Sequence, residues 1–295
     1  MDITFILILI YGIFMNTLAE SIRMLPFLFL TYLVMEYLEH RAGDRMQNAM
    51  RKSGKWGPFL GSFLGVFPQC GFSAAASSLY AGRVISLGTL MAVYLSTSDE
   101  MLPILISRHV GVNRILKILA IKVIVGMAAG FVIDLIMRKP GHDREEEIRE
   151  SVEGHHDHCE KGILRSALRH TLEIFLYILL ITFILSLIIH FLGYSFLGDL
   201  ILKRPIIGEM VAGLIGLIPN CASSIVITQL YLENAGVLQH IVGPMISGLL
   251  TGTGVGILVL FRVNRKPAEN AKIIGLLYAI GVIAGILIGQ VVKYI

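Results

Sequence analysis

The chain has 295 residues, 55% of them hydrophobic and 16% charged, and a formal net charge of +4. A soluble domain of this size carries about 25% charged residues, so these values exclude a string of soluble domains and point to a polytopic membrane protein. Three cysteines are too few for a disulfide framework. No basic stripe with interleaved aromatics is present, which excludes a nucleic-acid partner.

Apolar blocks fall near 3–17, 22–40, 57–82, 84–107, 115–138, 167–192, 206–233, 237–261 and 270–294. Most suffice to cross a hydrocarbon core of about 30 Å. The first block follows no basic n-region and precedes no small-residue cleavage site, so it reads as a retained span, residues 1–20. Residues 21–138 then read as one membrane repeat and 167–295 as a second. Between them, 139–166 forms the one soluble-looking stretch, a polar linker whose residues 144–153 could form a short helix.

The repeat is visible in two motifs. GVFPQCGFSAAASSLY at 65–80 and GLIPNCASSIVITQLY at 216–231 superpose at a shift of 151, which pairs Pro68 with Pro219, Gln69 with Asn220, Cys70 with Cys221 and Ser73 with Ser224. Downstream the shift moves to 154, placing Thr97-Ser98-Asp99-Glu100 over Thr251-Gly252-Thr253-Gly254. GMAAG at 126–130 then lies over GVIAG at 281–285. Internal duplication is a common transporter build. The expected fold is an all-α integral membrane protein of two homologous repeats, each with a Pro-Cys broken helix or a re-entrant hairpin.

Full crossings would make the repeats parallel, and re-entrant hairpins would make them inverted. The inverted arrangement gathers loops 41–57, 138–165 and 262–272 with Arg83 on one side, sixteen Lys/Arg against seven on the other. The positive-inside rule favours it, with the N-terminus inside.

Several constellations could carry chemistry. Proline at 68 and 219 removes a backbone donor and breaks the helix. It offers a hinge there and carbonyls that a bound ion can satisfy. Gln69, Cys70 and Ser73, with Asn220, Cys221 and Ser224, then become candidate substrate ligands at the start of a half-helix. Paired thiolates would suit a soft ion or metalloid, although a buried cysteine also serves as a small hydrophobe. Thr97, Ser98, Asp99 and Glu100 lie deep in an apolar block, where carboxylates bind cations or exchange protons. Their counterparts Thr251 and Thr253 are neutral, in a TGTGVG run read as an unwound segment offering carbonyls. Ion or proton coupling is assigned to these six residues. His155, His156, His158 and Cys159 in the linker could hold Zn, Ni or Cu loosely, or be a solvated loop. Lys122 is a further intramembrane charge that could pair with Asp99, Glu100 or Asp134.

There is no Walker A, HExxH or GxSxG pattern, so the chain reads as a non-enzyme without a cofactor. Energy would come from an ion gradient, a partner subunit or downhill flow.

FPQCGFSAAASSLYAGRVISLGTLMAVYLSTSDEMLPIL (67–105), IPNCASSIVITQLY (218–231), HTLEIFLYILL (170–180) and the His/Cys-bearing central loop resemble a bacterial and archaeal membrane family over essentially the whole chain. That family comprises ten-span heavy-metal exporters of the arsenic-permease type, labelled arsenic efflux proteins or manganese transporters. The resemblance implies a multi-pass protein of the cell (inner) membrane whose partners are a metal or metalloid ion and the lipid bilayer, with a homo-oligomer also compatible. Arsenic would want Cys70 and Cys221, whereas manganese would prefer Asp99, Glu100, Gln69 and Asn220. The alternative is a carrier of small organic or sulfur-containing anions; an intramembrane enzyme ranks below both.

Overall fold

The structure is a computed structural model. It describes residues 56–68, 71–99, 101–137, 206–219, 221–234 and 242–293, with single residues and short runs within 8–33 and 164–187. The described residues are helical and contain no strand.

Residues 57–136 form five helices: α1 (Gly57–Gly65), α2 (Gly71–Ala81), α3 (Leu87–Ser96), α4 (Met101–Ser107) and α5 (Val112–Ile136). The described residues within 207–293 form five more: α6 (Ile207–Gly216), α7 (Cys221–Asn234), α8 (Val242–Thr251), α9 (Gly256–Val263) and α10 (Pro267–Lys293). Element for element, the second set follows the order of the first.

Each block at 57–82, 84–107, 206–233 and 237–261 is thus two half-helices with an interruption. The reasons are local. Pro68 and Pro219 stand three residues beyond the ends of α1 and α6, and a proline biases the residue before it away from helix. At the end of α3 the hydroxyls of Ser96 and Thr97 turn back onto the carbonyls of Ala92 and Val93 (2.7 and 2.8 Å). Such bonds compete with the backbone ladder. Beyond α8, Gly254 adopts φ 55°, a left-handed conformation that glycine takes without steric cost.

Counting from the helix ends gives a match one residue away from the shift of 154 between the Thr-bearing elements. α3 ends at Ser96 and α8 at Thr251, a shift of 155, so Asp99 stands opposite Gly254 and Ser98 opposite Thr253. Glycine crossings fix this register. A Cβ at Gly130 would lie 2.6 Å from the Gly88 carbonyl, and one at Gly285 would lie 2.8 Å from the Gly243 carbonyl. Only glycine lets α5 approach α3, and α10 approach α8, this closely.

Among the described residues, three stretches are long and apolar enough to cross a membrane: Val112–Ile136, Val242–Val263 across its interruption, and Pro267–Val291. The middle one is 94% buried over its most apolar window, against 28% for each of the other two. The α8–α9 pair is therefore central. α5 and α10 turn large aliphatics outward, among them Leu116, Ile124, Leu135, Ile283 and Leu287, as lipid-facing helices do. The halves interlock: α2 packs along α9, α7 meets α4, and α3 touches α8. One core joins Leu90, Met91 and Leu95 of α3 to Ile246 and Leu250 of α8 and Leu277 of α10.

Candidate functional site

The interruptions are tied to one another. In the first half, Ser98 donates its backbone N–H to the Gly65 carbonyl (3.2 Å) and its hydroxyl to the Val66 carbonyl, which joins the 97–100 break to the 66–70 break. In the second half, the Thr251 hydroxyl donates to the Gly213 carbonyl (2.9 Å) and crowds Gly216, joining α8 to the end of α6.

Two bonds cross between halves at the 252–255 break. The Ser73 hydroxyl on α2 donates to the Thr253 carbonyl and the Ser77 hydroxyl to the Gly256 carbonyl, both at 2.8 Å. Ser77 also shares a 2.7 Å bond with the buried Tyr94 hydroxyl. From α7, Ser224 approaches the same break: a Cβ on Gly252 would meet its Oγ at 3.4 Å. The half-helices that follow both prolines therefore reach one unwound segment, whose carbonyls act as acceptors as the TGTGVG run led one to expect.

A buried charge lies near this centre. Lys122 of α5 is fully buried; its ammonium donates to the Leu249 carbonyl of α8 and has Asp99 as its electrostatic neighbour. Of the carboxylates the sequence offered, Asp99 neighbours Lys122, and Glu100 lies outside the described residues. Asp134 lies elsewhere, accepting from Gly88 N (2.9 Å) and the Ser86 hydroxyl (2.7 Å) at the start of α3. Lys122 was not among the expected coupling residues, and its one sequence signal was a lone cation inside an apolar block.

Of the expected residues, Ser73, Thr97, Ser98, Asp99, Thr251, Thr253 and Ser224 are buried around these breaks. Pro68 is exposed and Pro219 half-buried within theirs. Cys221 is the first residue of α7. Gln69, Cys70, Glu100 and Asn220 lie outside the described residues, as do His155, His156, His158, Cys159 and the expected helix at 144–153. Among the described residues, no three His, Cys, Asp or Glu side chains gather to hold a metal ion. Oxygen donors fill the centre instead. The hydroxyls of Thr253 and Thr228 are buried and have no hydrogen-bond partner. Such an orphan costs about 1–3 kcal/mol unless a ligand or water meets it.

Two features lie outside this centre. Tyr80 on α2 and Arg83 both donate to the carboxylate of Glu269 at the start of α10, the Arg83 contacts measuring 3.2 and 3.4 Å. On the other crossing, Tyr231 of α7 borders an open concavity of about 600 Å³ lined by Arg108, His109, Arg114 and Lys117.

The family model described as "Putative, 10TM heavy-metal exporter" matches residues 12–200, more than half of the chain. The match takes in the first Pro-Cys motif and the 97–100 break, and stops before the second Pro-Cys motif. No curated protein and no solved structure matches the chain.

Proposed function

From the chain's membership of this heavy-metal exporter family, we propose that it is a secondary transporter exporting an inorganic metal or metalloid ion, arsenic- or manganese-like, across the cell (inner) membrane. The family is one of multi-span membrane exporters, so the coarse activity is transport and not catalysis. The finer reading divides the chain into a first span at 1–20, repeats at 21–138 and 167–295, and a linker at 139–166. The repeats are inverted, and the Pro-Cys elements turn as re-entrant hairpins hinged at Pro68 and Pro219. The matching order of α1–α5 and α6–α10 supports the duplication.

One observation carries the site. The unwound segment at 252–255 receives Ser73 from one half and Ser224 from the other, and it holds the unpartnered Thr253 hydroxyl. Broken helices that expose carbonyls inside a bundle are where transporters hold ions. Gln69, Cys70 and Ser73, with Asn220, Cys221 and Ser224, would supply the substrate ligands. Thr97, Ser98, Asp99, Glu100, Thr251 and Thr253 would bind the coupled ion or proton. The linker residues His155, His156, His158 and Cys159 would at most collect metal.

Efflux in inverted vesicles tests this, with Mn²⁺, Cd²⁺ and arsenite offered with and without a proton gradient. Asp99→Asn should lower efflux of the transported ion at least tenfold, and Cys70→Ser with Cys221→Ser should do so for arsenite or Cd²⁺. Wild-type rates from all these variants would remove the site. A second reading, a carrier of small anions, draws on the basic concavity at Arg108, Arg114 and Lys117; transport of an anion that survives Asp99→Asn would favour it.

A further inference from the structure

We propose that Lys122 is a tethered stand-in for the transported cation: its ammonium occupies the seat formed by Asp99 and the Leu249 carbonyl, and a metal cation must displace it to bind. This rests on the reading above, in which Asp99 faces the substrate or its coupled ion.

The position is costly and unnecessary for packing. Lys122 sits eleven residues into the 25-residue α5, about 15 Å along its axis, so it lies near the middle of a span. Along α5 the buried stripe runs Ile115, Ile118, Lys122, Gly126, Gly130 and Ile133. Lys122 is the charge on that stripe. The matching stripe of α10 carries Leu277 at the equivalent place, 155 residues on, and Leu277 is equally buried. The second crossing is thus packed with leucine and no charge, so packing alone does not call for an ammonium, whose desolvation costs several kcal/mol.

The seat itself has the composition of a cation site. Leu249 lies in the last turn of α8, where the interruption at 252–255 leaves carbonyls without helical donors. A carbonyl freed in this way, whose bound ammonium has a carboxylate as its electrostatic neighbour, suits a hard divalent cation. The ammonium satisfies the carbonyl and bridges the halves. Displacing it would free the α5–α8 contact, so occupancy and the fit of the halves are linked through one side chain. The second half has no counterpart, because Gly254 stands where Asp99 would be and Leu277 where Lys122 would be.

The test uses the purified full-length protein in lipid nanodiscs, with Mn²⁺ as the probe, titrated by calorimetry, and Mn²⁺ flux in proteoliposomes beside it. Lys122→Leu, the residue the other half uses, should bind Mn²⁺ at least tenfold more tightly than wild type and release it more slowly, so flux falls although affinity rises. Lys122→Gln should behave alike, and Lys122→Arg should bind no more tightly than wild type. Should Lys122→Leu fail to fold, the Gln and Arg pair reads the same contrast. Affinity that does not follow the charge at position 122, or that falls when the charge is removed, overturns the proposal and makes Lys122 a structural counter-ion. Wild-type protein that binds no Mn²⁺, or Asp99→Asn that binds it as well as wild type, overturns the underlying reading instead.

Discussion

Residues 57–136 and 207–293 share a scaffold and differ in where charge sits on it. Glycine crossings, small hydroxyl residues and four interruptions recur in register. The charges do not. Lys122, Asp99 and Asp134 of the first half correspond to Leu277, Gly254 and Gly289 of the second, 155 residues on, and Arg114 corresponds to Glu269. What recurs is what close helix packing demands; what differs is what can bind, repel or latch.

The two crossings show the consequence. Tyr80 and Tyr231 hold equivalent places at the ends of α2 and α7. Near Tyr80 the first turn of α10 offers Glu269, which accepts from both Tyr80 and Arg83 and closes that crossing. Near Tyr231 the first turn of α5 offers Arg114, another cation beside Arg108 and Lys117, and the crossing stands open. Like charges cannot fasten it, while a bidentate guanidinium–carboxylate contact fastens its counterpart.

Breaking the shared scaffold should have the largest effect. Gly130→Leu drives a side chain into the Gly88 carbonyl, Pro58 and Ala92, so α5 must leave α3. We expect loss of about 3 kcal/mol or more, seen as a thermal midpoint in detergent lowered by many degrees. Gly285→Leu should do the same to α8 and α10, and a much smaller loss there would mean that the second crossing is less tightly packed than its geometry implies.

Exchanging the latch charges should have an intermediate effect and sharpen the contrast. Glu269→Arg gives the closed crossing the chemistry of the open one, and Arg114→Glu the reverse. Partly exposed pairs of this kind contribute about 0.5–1 kcal/mol, so each change should alter the rate of metal efflux by about two- to fivefold. The double exchange should lie nearer wild type than either single change, unless the crossings act independently.

The smallest effect should come at the helix starts. Asp134 accepts two bonds at the N-terminus of α3. In the second half the corresponding place near Gly243 is taken by Glu209 of α6, whose Oε1 would lie 2.5 Å from a Cβ there and whose Oε2 has no partner. Asp134→Ala should cost about 1 kcal/mol through the lost acceptor, and Glu209→Gln less. Melting curves of the two variants check the order.

Much of this was legible in the linear chain. Prolines at 68 and 219 announced helix breaks because proline's missing donor acts locally, whatever surrounds it. The TGTGVG run announced another, because three glycines in six residues weaken a helix by themselves. The partner of Lys122 was not legible, since Asp99, Glu100 and Asp134 are all within plausible reach along the sequence. Nor was the one-residue register between the Thr-bearing elements, because hydroxyl matching tolerates a slip that glycine crossings do not.

Membrane residence, helical class, duplicated motifs and the sites of interruption were thus determined by the sequence alone: each follows from local apolarity, backbone chemistry or direct comparison of residues. Only the tertiary structure decided that Ser73 and Ser224 reach the same unwound segment, that Lys122 donates to the carbonyl of Leu249 with Asp99 as its electrostatic neighbour, and that one crossing is latched while its twin is open. Those facts depend on which helices meet across more than a hundred residues of chain, and that is settled by packing area and shape, which no local signal encodes.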